Sequence, residues 1–141
     1  MIRKKMTLEI EETEIDFHVV GIVSSTSHLE FVHFLNKAGI FNFERMDDLC
    51  LKDKSEDKFF IRFEFAIDEL EQRFVLIKNL GDKGILDAEF KGIDYLLLVF
   101  GELGEELDDI IKQLKEQFYI QVVMNYEKDR FKDKTLRKLN A

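Results

Sequence analysis

Glu89 and Asp94 are carboxylates five residues apart, and Tyr95 follows the second directly. Residues of these types can act as a general acid and base, or supply oxygen ligands to a hard cation, with the phenol beside them. That chemistry needs a fold that brings the two carboxylates together. A structural role accounts for the same residues. Asp94 can satisfy free backbone donors where a strand begins, and Glu89 can pair with Lys91 or cap a turn. Tyr95 can bury its ring while its hydroxyl reaches water or a carboxylate. The residues alone leave both roles open.

Other reactive side chains are more scattered. His28 and His33 are five apart and diverge by about 140° around a helix, while His18 falls in an alternating strand pattern. No shared metal site is expected from them. Cys50 lies between Leu49 and Leu51, the setting of a small buried hydrophobe more than of a nucleophile. The run Ser24 to Ser27 lacks the glycines of a nucleophile elbow, and no glycine-rich phosphate loop occurs. Gly101 and Gly104 are followed by acids, which would repel a phosphate. A non-enzymatic protein without cofactor or metal is expected.

With 141 residues, 45% of them apolar and fourteen of them phenylalanine, the chain can build one core without staples. The formal charge of −8 is unevenly spread. Residues 127–141 and residues 1–6 each carry +3, so residues 7–126 carry −14. The expected organisation is a single acidic domain over residues 1–126 and a basic tail over residues 127–141. An acidic body repels phosphate backbones, so nucleic acid is not an expected partner. One cysteine excludes an internal disulfide and fits a reducing, cytoplasmic compartment. Glu9, Glu11, Glu12 and Glu14 stand where a signal peptide would need apolar residues, and no apolar run reaches the ~18 residues of a membrane span.

The elements that would position these residues follow from periodicity. The central strand is Ile93 to Gly101, whose apolar run Leu96 to Phe100 needs cover on both faces. A short edge strand is predicted at Thr7 to Glu11, and a buried one at Ile15 to Val23. Ser27 and Glu30 have capping-box spacing ahead of a helix that Gly39 ends. Phe31, Phe34, Leu35 and Ala38 form its apolar stripe, and Leu29 and Val32 widen it, marking either deep burial or an interface with a second subunit. Residues 40–46 read as a strand, residues 47–58 as a mobile connection, and residues 59–78 as a hairpin burying a phenylalanine-rich face. A second helix follows Gly104, and Tyr119 to Tyr126 reads as the last strand. Ile15-Asp16-Phe17 and Ile93-Asp94-Tyr95 echo one another, each 14 residues ahead of a helical leucine, Leu29 or Leu107.

The expected fold is therefore α+β: two βαβ units flanking a β-hairpin, a mixed sheet of about six strands with two helices on one face, ferredoxin-like or a related sandwich. The segment Asp87 to Tyr95, Asp-Ala-Glu-Phe-Lys-Gly-Ile-Asp-Tyr, resembles the signature of the bacterial IPExxxVDY family of small proteins. Glu89, Asp94 and Tyr95 match it, Ile93 stands in for valine, and Asp87 and Ala88 depart from its Ile-Pro pair. The resemblance implies a relative without assigning an activity. The apolar surplus fits a cytoplasmic protein-interaction or adaptor module, a homodimer with a possible further protein partner and no membrane association. A small-metabolite-binding regulatory domain is the alternative, and an acid/base or metal-dependent enzyme at Glu89 and Asp94 a third reading.

Overall fold

The apolar run at Leu96 becomes the hub of a six-stranded sheet. The computed structural model describes residues 17–52, 56–86 and 88–126. The expected edge strand at Thr7 to Glu11 and the basic tail lie outside them. The strands are β1 (Phe17–Val23), β2 (Glu44–Lys52), β3 (Asp57–Ile67), β4 (Gln72–Lys78), β7 (Tyr95–Phe100) and β8 (Val122–Tyr126), in the order β2-β3-β4-β7-β1-β8. A separate two-stranded ribbon, β5 (Leu80–Gly81) and β6 (Gly84–Ile85), follows β4. Two helices complete the fold, α1 (His28–Lys37) and α2 (Glu105–Lys115). No helix among the described residues is long and apolar enough to cross a membrane.

The α+β class, the six strands and the two helices on one face agree with the sequence reading. The mixed sheet does not: each registered pairing is antiparallel. Both units do cross over. β1 is antiparallel to β7 and to β8, so β7 and β8 run the same way with β1 between them, a split βαβ unit closed by α2. α1 likewise carries the chain from β1 to β2, which runs in the same direction at the far end of the sheet. Strands joined by a helix share a direction here without sharing hydrogen bonds, and local periodicity does not reveal which strand inserts between them.

β7 is buried on both sides, as its composition requires. Tyr95, Leu97 and Val99 join Phe31, Val32 and Leu35 of α1 and Leu107, Ile111 and Leu114 of α2 in one core. Leu96 and Leu98 face the other way, with Val75, Ile77, Phe60 and Phe90. Each such side chain contributes about 1.5–3 kcal/mol relative to exposure, which fixes β7 in the interior. α1 starts where the capping residues indicated, with Ser27 Oγ accepting from the Glu30 N–H at 3.4 Å.

Three element expectations are corrected. Phe41 and Phe43 are buried in the loop ahead of β2 and not in a strand. Asn36 of α1 replaces strand pairing there: its Nδ2 donates to the Phe43 carbonyl at 3.1 Å, and its Oδ1 accepts from the Phe43 N–H at 2.8 Å. β2 then runs through Lys52, where a mobile connection was expected, because Leu49 and Leu51 alternate into the core beyond a register shift between Met46 and Leu49. Tyr119 and Ile120 are buried ahead of β8 instead of beginning it. The hairpin is also covered on both faces, with Phe63 buried on one side and Phe60 on the other, while Phe59 is exposed.

Candidate functional site

The segment from Leu86 to Tyr95 feeds β7, and a fully buried residue holds it there. Asn79, at the end of β4, donates from Nδ2 to the carbonyls of Phe90 at 2.9 Å and Ile93 at 2.8 Å. Its Oδ1 accepts from the Leu86 N–H at 3.1 Å, and its own N–H donates to the Asp94 carbonyl at 2.9 Å. A buried amide with this full set of partners is a clamp. Asn79 marks only a turn in the sequence. What makes it a clamp is the return of a loop 7 to 14 residues later, as the separations of its side-chain bonds show.

Asp94 sits at the start of β7, exposed, and its Oδ2 accepts from the Ser24 N–H at 2.9 Å. Buried Ser24 in turn donates from Oγ to the Tyr119 carbonyl at 2.6 Å. Tyr95 stacks on Phe31 with ring centroids 4.1 Å apart and 2° between planes, and its hydroxyl donates to the Thr26 carbonyl at 2.8 Å. Asp94 and Tyr95 therefore fasten the β1–α1 turn to the start of β7. Burial, and then the nearby Asp94 charge, raises the Tyr95 pKa above the ordinary value of 10.0, so the phenol stays a donor at neutral pH. Glu89 lies exposed on a 3-10 turn, Ala88–Phe90.

Of the two roles open for the motif, the geometry carries the structural one for Asp94 and Tyr95, with one difference. The Tyr95 hydroxyl meets a backbone carbonyl, where water or a carboxylate was expected. Asp94→Ala is expected to lose about 1 kcal/mol, the ordinary worth of one part-buried hydrogen bond, and Asp94→Asn, which keeps an acceptor, less than half of that. Urea denaturation of both variants checks the pair.

The histidines do not converge. His33 is exposed, and His18 and His28 are half-buried on different elements. Among the described residues no group of three or more His, Cys, Asp or Glu could hold a metal ion. Cys50 is half-buried beside Phe59 on the neighbouring strand. Tyr119 was not singled out in the sequence, yet its hydroxyl is buried with no hydrogen-bond partner among the described residues, and burial pushes its pKa up to about 12.

The two residues that widen the α1 stripe separate. Val32 is 8% exposed and belongs to the core, which removes it as an interface residue; Leu29 is 69% exposed. More apolar surface follows α2: Phe118 is 83% exposed, Val122 45% and Met124 40%. Phe118 leans on Phe34 of α1 with centroids 5.6 Å apart. Among the described residues β8 ends the sheet, and residues 118–126 carry no charge. At the other end β2 presents Glu44, Arg45, Asp47 and Asp48 together with its register shift. Charges and irregularities of that kind keep a sheet edge from pairing with another chain, and β8 has neither.

No protein-family model matches the chain, and no curated protein matches it either.

Proposed function

We propose that this protein is a non-enzymatic interaction module of a reducing, cytoplasmic compartment that self-associates through β8. The observation that carries the reading is the contrast between the two ends of the sheet, one charged and irregular, the other uncharged, regular and lined by exposed Val122 and Met124. Two bodies of charge −14 repel each other, so a homodimer needs contact through an uncharged strip, and residues 118–126 supply one.

Antiparallel pairing of β8 with its own copy is isologous: each strand meets the other with the same residues. A two-fold axis at Met124 sets that residue opposite itself and Val122 opposite Tyr126. Among the described residues no strand pairs with the outer edge of β8, so a second copy would extend the ladder there, and the apolar side chains gain cross-strand neighbours.

Light scattering at micromolar concentration is expected to give twice the chain mass. The double variant Val122→Lys, Met124→Lys should fold normally and give the single mass, because lysines 124 then face each other across the pair. Its dimer dissociation constant should rise at least ~100-fold, equivalent to ~2.7 kcal/mol. A wild-type chain that is monomeric throughout this range removes the proposal.

A further inference from the structure

At the opposite side of the sheet from β8, an open pocket of about 470 Å³ lies between β3, the end of β4 and the β5–β6 ribbon. Its apolar walls are Phe59, Ile61 and Leu80. The ribbon packs hard against β3 here: a Cβ on Gly81 would strike the Phe59 carbonyl oxygen and the Phe60 ring, so glycine is required at this wall of the pocket. Phe59 and Leu80 remain exposed although they adjoin one another across this cavity, which leaves two large apolar side chains without cover.

Three charged residues line the same pocket: Asp48, Lys78 and Asp82. Both carboxylates are engaged. Asp48 Oδ1 is paired with the Arg45 guanidinium at 2.8 Å, and Asp82 Oδ1 accepts from the Phe59 N–H at 3.0 Å. The Lys78 ammonium has neither ion pair nor hydrogen bond among the described residues. Its charge is felt nearby: burial, then Lys78, then Arg45, lowers the pKa of His28, so the two cations share one patch of the helix-bearing face.

We infer that this pocket binds a small carboxylate with an apolar, ring-sized body, the body against Phe59, Ile61 and Leu80 and the carboxylate on Lys78. The volume is that of a small-molecule site, and such sites pair apolar walls with a few polar groups that fix orientation. Asp48 is already paired with Arg45 and Asp82 holds a backbone N–H, whereas Lys78 is paired with no described residue, so a carboxylate gains a new ion pair there. The site is remote from β8 and does not depend on self-association, so it can be tested on a monomeric variant as well as on the wild type.

The test titrates the full chain with 3-phenylpropionate, its amide and 2-phenylethylammonium, read by backbone amide chemical shifts. The acid is expected to bind saturably and shift Phe59, Ile61 and Leu80, with the amide and the ammonium each at least ~10-fold weaker. Lys78→Met should bring the acid down to the affinity of the amide while leaving the amide unchanged. Leu80→Glu, at an exposed position that the core does not need, should abolish binding of the acid. Equal affinity for acid and amide, tighter binding of the ammonium, no saturable binding of the acid, or a Lys78→Met chain that binds the acid like wild type would each overturn the inference.

Discussion

Asn79→Ala is expected to cost about 3 kcal/mol, a large part of the ~5–15 kcal/mol that holds a domain of this size folded. The substitution strips donors from two carbonyls, Phe90 and Ile93, that lie at the base of a fully buried amide. The Ile93 carbonyl loses its donor, which costs about 1–3 kcal/mol, and the space vacated by the side chain adds to that, whereas the Phe90 carbonyl still accepts from the Ile93 N–H at 3.0 Å. The Leu86 N–H keeps its second acceptor, the Asn79 backbone carbonyl at 3.1 Å, so that end of the loop suffers less. Asn79→Asp separates the contributions. It has the same size and still accepts from Leu86, but it points an oxygen at two carbonyl oxygens, so it should be no more stable than the alanine variant. Guanidinium denaturation of the three chains measures the order, and an aspartate variant near wild-type stability would show that the two carbonyl bonds matter little. Because the clamped loop leads directly to Asp94 and Tyr95, amide exchange of residues 86–95 should accelerate in both variants.

Gly101→Ala is expected to lose about 3 kcal/mol. The residue ends β7 with φ at 111°, and a Cβ would stand 2.6 Å from the Glu71 carbonyl oxygen and 3.2 Å from Gln72 Cα. Both neighbours are backbone, so no rotamer change relieves the contact. The turn it would strike is already constrained, since Glu71 is itself left-handed at φ 54° after the 3-10 turn Asp68–Leu70. The cost should appear as a lower denaturation midpoint with an unchanged slope. A loss below ~1 kcal/mol, the size of the conformational penalty alone, would mean that the two turns do not approach this closely in solution.

Much of the chain was legible where one physical effect dominates. Ser27 and Glu30 mark the start of α1 because a capping side chain acts within three residues. Leu96 to Val99 mark the central strand because an unbroken apolar run has no stable place at a surface. Reading failed where distant partners changed the balance. Leu49 and Leu51 continue β2 through charged surroundings because β3 supplies both the ladder and the apolar cover. Phe41 and Phe43 alternate like strand residues, yet Asn36 captures the backbone of Phe43 first. The echo between Leu29 and Leu107 also breaks, since Leu107 is buried and Leu29 is exposed.

The candidate sites divide in the same way. Glu89, Asp94 and Tyr95 stand out by residue type, but only the folded chain shows that the Asp94 carboxylate serves the Ser24 N–H and the Tyr95 hydroxyl serves Thr26. Asn79, Lys78 and the exposed edge of β8 carry no local signature, because what distinguishes them is what lies beside them or fails to. By itself the sequence determined the α+β class, a main sheet of about six strands with two helices, the acidic body with its basic ends, and the buried central strand, all consequences of composition and short-range periodicity, but not the β5–β6 ribbon. Only the tertiary structure decided that, among the described residues, the strand pairings are all antiparallel, β8 ends the sheet without charged protection, and a lysine without an ion pair lines a pocket with apolar walls. Those features depend on strand order, and strand order is set by contacts between residues tens of positions apart that leave no mark on the residues in between.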